Sequence, residues 1–197
     1  MIYPNYNNKL SAYKYFVLFL VVFHCIISCT DNRRKTNISK VLTEWIGKEI
    51  QFPDHVQCFF SGRDTVLDLC AESFQKEFKI LLYVDSTGCS DCRLKLNQWK
   101  QLIAETDSLY PDKVGFLFFF QPKSLKGMEY IFVRDRFDYP VLMDVKGEIN
   151  DMNRFPTEMQ YQCFLLDSNN KVLLIGNPTT NRKIWELYKA QINNGDT

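Results

Sequence analysis

The sequence predicts an α/β fold, with strands and helices alternating around one sheet. Ile80–Val84 and Val114–Phe120 are short apolar runs of strand length, the pattern of strands covered on both faces. Helix-period stretches follow each of them: Cys89 to Leu109, then Lys126 to Arg136 with Met128, Ile131 and Phe132 on one side. Phe164–Leu166 and Val172–Ile175 flank Asp167-Ser-Asn-Asn-Lys171, a hairpin turn signal. Thr180 to Ile192 then predicts a last helix, with Ile184, Leu187, Tyr188 and Ile192 on one face.

The remaining elements are shorter. Ile38 to Trp45 predicts a helix with Val41, Leu42 and Trp45 on one face, and Gly47 and Pro53 punctuate the chain after it. Val56 to Phe60 suggests a strand and Ser61-Gly62-Arg63-Asp64 a turn. Thr65 to Leu69 reads as a second strand or a helix start, and Ala71 to Phe78 has helical tendency. Val141–Met143 is a short strand after Pro140, and Asn150 to Thr157 a loop or a single turn. Trp45, Trp99 and Trp185 fall on apolar helix faces and are core residues.

Hydrophobic residues make up 46 % of the 197, enough for a core rather than a disordered chain. A net charge of +1 argues against a nucleic-acid partner. The first segment reads differently from the rest. Residues 1–15 carry Lys9 and Lys14 and no acid, and Phe16 to Ser28 is apolar. That stretch falls short of the roughly 20 residues that span a bilayer, and has the flanks of a signal-peptide core.

One stretch points at chemistry. After the Ile80–Val84 run comes Asp85-Ser-Thr-Gly-Cys-Ser-Asp-Cys92, and Cys89 and Cys92 stand at the start of the helical pattern. A helix N-terminus favours thiolate, the reactive form. Cys92, Leu96, Trp99 and Ile103 are spaced as one apolar helix face, which turns Cys92 inward and leaves Cys89 at the tip. Thr87, Gly88, Ser90 and Asp91 are the neighbours of the pair. Asp91 opposes thiolate formation, and Arg93 favours it.

The order strand, Cys-x-x-Cys, helix, strand, helix, strand, hairpin, helix resembles a thioredoxin-like fold, a central mixed sheet flanked by helices. Ile46-Gly-Lys-Glu-Ile-Gln-Phe-Pro53 and Phe164-Leu-Leu-Asp167 are similar to segments of the TlpA/ResA-like membrane-tethered thioredoxins. Ile26-Ile27-Ser28-Cys29 resembles a bacterial lipobox. The resemblance implies cleavage before Cys29 and lipidation of its sulfur, with Thr30 as the next residue favouring the outer membrane. The organisation expected is a signal peptide over 1–28, a tether and short helix over 29–45, a thioredoxin-like domain over 46–192 and a tail over 193–197. The function implied is an extracytoplasmic, lipid-anchored thiol–disulfide oxidoreductase without a cofactor. Cys89 would be its nucleophile and Cys92 its resolving thiol, with protein thiols or disulfides as substrates and a membrane redox partner.

The chain departs from the family pattern at named positions. Gly88 stands where the family usually has Trp, and Asp91 where it has Pro. The substrate-docking cis-proline of such folds falls by spacing near Tyr161, whereas the nearest proline is Pro156. The buried acid of many thioredoxins maps onto Tyr83. Asp85, two residues on, is a candidate relay but reads more readily as a strand-end residue. The other functional reading is therefore a redox-inactive thioredoxin-like lipoprotein that serves as a binding module. A peroxidase is disfavoured, because no Pro-x-x-x-Thr-x-x-Cys pattern leads into Cys89.

Cys58 and Cys70 bracket the Ser61-Gly62 turn; as a disulfide they would contribute about 3 kcal/mol in the chain-entropy model, yet two buried free thiols are favoured over a bridge. Cys163 reads as a buried strand residue rather than a third redox partner. No metal is expected: zinc would need Cys58, Cys70 or Cys163 to converge on the pair, with His55 the one histidine beyond the signal segment.

Overall fold

The structure is a computed structural model and describes residues 38–60, 67–86 and 94–195. The chain divides into two compact units, Met1–Thr43 and Glu44–Thr197. The described part of the first is helical, and its Thr43 hydroxyl donates to the Ser39 carbonyl at 2.9 Å. This helix, α1, covers 38–45. Trp45 is buried as expected, but Leu42 is 41 % exposed and does not share its environment.

In the second unit the elements run β1 (Gln57–Phe59), α2 (Leu67–Gln75), β2 (Phe78–Val84), α3 (Leu96–Leu109), β3 (Val114–Phe120), α4 (Leu125–Arg134), β4 (Val141–Met143), α5 (Glu148–Asn153), a 3-10 turn (Met159–Tyr161), β5 (Cys163–Leu166), β6 (Val172–Ile175) and α6 (Arg182–Asn194). The six strands form one mixed sheet in the order β1-β4-β3-β2-β5-β6. β2 and β3 are parallel over seven registered pairs, and β4 is parallel to β3. β5 runs antiparallel to β2, β6 to β5 and β1 to β4. Every residue of β2 and β3 is buried, which is why neither strand alternates in sequence.

Two apolar layers sandwich the sheet. Ile80, Leu82, Val84, Phe116, Phe118, Phe120 and Leu165 face α3, α4 and α6, whose Trp99, Phe132, Trp185, Tyr188 and Ile192 complete the main core. The Trp99 ring meets Phe118 edge-on with centroids 5.2 Å apart, a favoured aromatic geometry. On the opposite face Phe119 packs against Phe52 and Phe74, and Phe164 against Trp45 and Phe155. α2 lies directly on β3 here. A Cβ on Gly115 would collide with the Ser73 carbonyl, so glycine permits this approach. Lys79 is fully buried, and its ammonium donates to the Ser168 carbonyl at 2.9 Å, pinning the β5–β6 turn from within. Among the described residues no helix is long and apolar enough to cross a membrane.

Two expectations need correction. The helix foreseen from Cys89 to Leu109 is interrupted at Lys95, which adopts the left-handed conformation (φ 51°, ψ 39°) and is the N-cap of α3; residues 89–93 lie outside the described residues. Asn150 to Thr157, expected as loop or a single turn, has that turn at its start, where α5 ends at Asn153; Asp144 organises the helix by accepting from the Glu148 and Ile149 amides, both at 2.9 Å. In α6 the buried face is Trp185, Tyr188 and Ile192, while Leu187 is 53 % exposed.

Candidate functional site

Cys89 and Cys92, with Thr87, Gly88, Ser90 and Asp91, lie outside the described residues, as does Cys29. The structure does define the two ends that hold the motif. β2 ends at Val84, at the centre of the sheet, and the half-buried Asp85 and Ser86 follow. On the other side Leu94 is buried, Lys95 breaks the helical path, and α3 begins. The break falls between Cys92 and Leu96, so a single helix face does not carry the argument for Cys92 pointing inward. Leu96, Trp99 and Ile103 do form the buried face of α3.

The motif is thus strung from the carboxyl end of a central parallel strand, where open α/β sheets place their ligands and chemistry. Polar groups at this end are fixed by neighbouring loops. Tyr83, onto which the sequence resemblance maps the thioredoxin acid, is buried and donates its hydroxyl to Gln121 Oε1 at 3.0 Å, while its ring stacks on Phe155 with centroids 4.8 Å apart. Gln121 is held by its amide, which donates to the Val84 carbonyl at 2.9 Å. Gln162, 3 % exposed, accepts from the Tyr83 amide at 2.9 Å and donates through Nε2 to the Pro156 carbonyl at 2.8 Å.

Sequence reasoning missed Gln121, Gln162 and Asp144. Their polarity inside or beside apolar runs was the available signal. Pro156 and β5 are separated by the 3-10 turn, and no peptide bond among the described residues is cis. Gln162 therefore occupies the position immediately before β5.

The other cysteines are placed plainly. Cys58 of β1 and Cys70 of α2 form a disulfide with Cα atoms 6.4 Å apart, which corrects the preference for two free thiols. The fold supplies the reason. Cys58, Leu142, Phe119 and Tyr83 make one row across β1, β4, β3 and β2, and α2 crosses that face of the sheet. The pair is thereby taken up as a disulfide rather than as metal ligands. Cys163 is fully buried, in register with Leu82, as expected of a strand residue. Burial pushes its thiol up to about 12 in spite of a hydrogen bond with Tyr188, so it is not a third nucleophile.

No family model matches the sequence, and no curated protein does. Solved structures match it along most of its length. A Chlorobium tepidum protein described as thiol:disulfide interchange protein DsbE aligns at 18 % identity and TM-score 0.52, covering 75 % of this chain and 96 % of its own. This chain has a thioredoxin-like fold. A thiol-disulfide oxidoreductase from Bacteroides fragilis aligns at 16 % identity and TM-score 0.51 over 71 % of this chain and 99 % of that one. A 2-Cys peroxiredoxin from Plasmodium vivax aligns at 13 % identity and TM-score 0.53 over 77 % and 84 %. At these identities the likeness is one of fold, and several thioredoxin-fold chemistries share it.

Proposed function

We propose that this chain is a membrane-anchored, extracytoplasmic thiol–disulfide oxidoreductase acting through Cys89 and Cys92. One observation carries the reading: the Cys-x-x-Cys motif occupies the connection leaving the carboxyl end of central strand β2 in a thioredoxin-like fold. Two of the solved structures that it resembles are described as a thiol:disulfide interchange protein and a thiol-disulfide oxidoreductase. The Cys58–Cys70 bridge suits an oxidising compartment. The Ile26-Ile27-Ser28-Cys29 lipobox supplies the anchor, and the sorting residue Thr30 suits the outer membrane.

The Cys89 thiolate attacks one sulfur of a substrate disulfide and forms a mixed disulfide, releasing the other substrate sulfur as thiolate. Cys92 then attacks the Cys89 sulfur, which frees the second substrate thiolate and leaves Cys89–Cys92 oxidised. Two electrons from a membrane redox partner restore the dithiol. The reverse sequence oxidises a substrate dithiol. A Cys92→Ser variant should accumulate mixed disulfides that dissolve on reduction, and a Cys89→Ser variant should not. Absence of such species in Cys92→Ser would sink the reading and favour a thioredoxin-like lipoprotein that binds a partner without exchanging electrons.

A further inference from the structure

We propose that Gln162 is a positioning residue for the exchange reaction: its side chain holds loop 157–161 as the surface on which a polypeptide substrate rests while its disulfide meets Cys89. The proposal rests on the Cys89–Cys92 reading. β5 runs antiparallel to β2 with Cys163 opposite Leu82, so the residues just before β5 lie beside the last residues of β2. The Tyr83 amide donates to the Gln162 carbonyl at 2.9 Å and carries that pairing one step further. The loop before β5 and the connection after Val84, which carries Cys89, therefore meet adjacent strands at the same end of the sheet.

Both ends of the loop are fixed. Phe155 is buried, its ring centroid 4.8 Å from that of Tyr83 and 5.4 Å from that of Phe164. Gln162 is buried too, and its Nε2 donates to the Pro156 carbonyl at 2.8 Å. The bonds of the 3-10 turn itself, from the Tyr161 amide to Glu158 and from the Gln162 amide to Met159, reach back three residues. The Gln162 side chain reaches back six and joins the turn to the start of the loop. Between the fixed ends Thr157, Glu158 and Gln160 are exposed, and Met159 and Tyr161 are half-buried. Exposed loop residues on a rigid scaffold are where proteins place binding groups. A thioether and a phenol among polar neighbours suit a polypeptide, since Met and Tyr are enriched at protein interfaces.

Gln162 takes no part in the sulfur chemistry and acts through the loop. Without its amide the substrate must order the loop on binding, and that cost comes off the binding free energy. A small disulfide that reaches Cys89 without touching the loop bears no such cost.

The test compares the full chain with Gln162→Met, similar in length but without the donor, and Gln162→Glu, whose carboxylate cannot donate. Rates are measured with insulin as a polypeptide disulfide and hydroxyethyl disulfide as a small one. In both variants kcat/KM for insulin should fall about fivefold or more relative to that for hydroxyethyl disulfide, with the loss in KM. A second measurement leaves Gln162 in place and decides the matter if a variant does not fold. In Cys92→Ser joined to insulin as a mixed disulfide, amide exchange at 157–161 should be about tenfold slower than in the same variant joined to hydroxyethanethiol. Equal losses on both substrates, a loss in kcat with KM unchanged, unchanged rates, or unchanged exchange at 157–161 would each overturn the proposal. A parent active on hydroxyethyl disulfide alone overturns this proposal and spares the Cys89–Cys92 reading; a parent active on neither overturns both.

Discussion

Cys163 shows how burial decides the chemistry of a side chain. With its thiol held up to about 12 instead of 9.0, it should resist iodoacetamide in the native protein and react once the chain unfolds. The raised value also has a pH consequence. The unfolded thiol ionises first, so the stability contributed by Cys163 is whole below about pH 9 and is lost as pH rises toward 12. Urea midpoints measured across that alkaline window should fall less steeply in Cys163→Ala than in the parent. Tyr83 tests a different pairing. Tyr83→Phe leaves Gln121 Oε1 without this donor and should cost about 1 kcal/mol in urea unfolding. Cys163 was legible as a strand residue because it precedes an apolar run. The Tyr83–Gln121 pair was not, because its partners are 38 residues apart and meet only once β2 and β3 are in register.

At the scale of elements, the β2 and β3 runs, the hairpin and the three long helices α3, α4 and α6 were readable from period and length alone. What escaped the reading was set by single residues acting against a pattern. Lys95 interrupts an apolar spacing that is otherwise continuous from Cys92 to Ile103, and nothing in a lysine announces a left-handed backbone. Such a conformation costs a lysine roughly 1–2 kcal/mol and glycine almost nothing, so Lys95→Gly should stabilise the protein by about 1 kcal/mol. A comparable loss, as glycine causes inside an unbroken helix, would restore the continuous helix from Cys89. Gly115 makes the converse case. Gly115→Ala forces α2 away from β3 and should destabilise by about 1–3 kcal/mol, seen as a lower denaturation midpoint.

For the whole molecule, a mixed sheet between two apolar layers explains why the fold was legible while the Cys58–Cys70 bridge was not. Periodicity reports which face a residue takes, whereas the bridge depends on where α2 crosses that face. The anchor is tested in cells: labelled palmitate should enter the chain and be lost in Cys29→Ala. The central claim concerns the connection between β2 and α3. Its most direct measurement is the rate of alkylation of each cysteine in the reduced native protein at neutral pH. Cys89 should react first and Cys92 more slowly, with Cys163 silent. If Cys89 and Cys92 are both inert under those conditions, the chain is not a thiol–disulfide oxidoreductase.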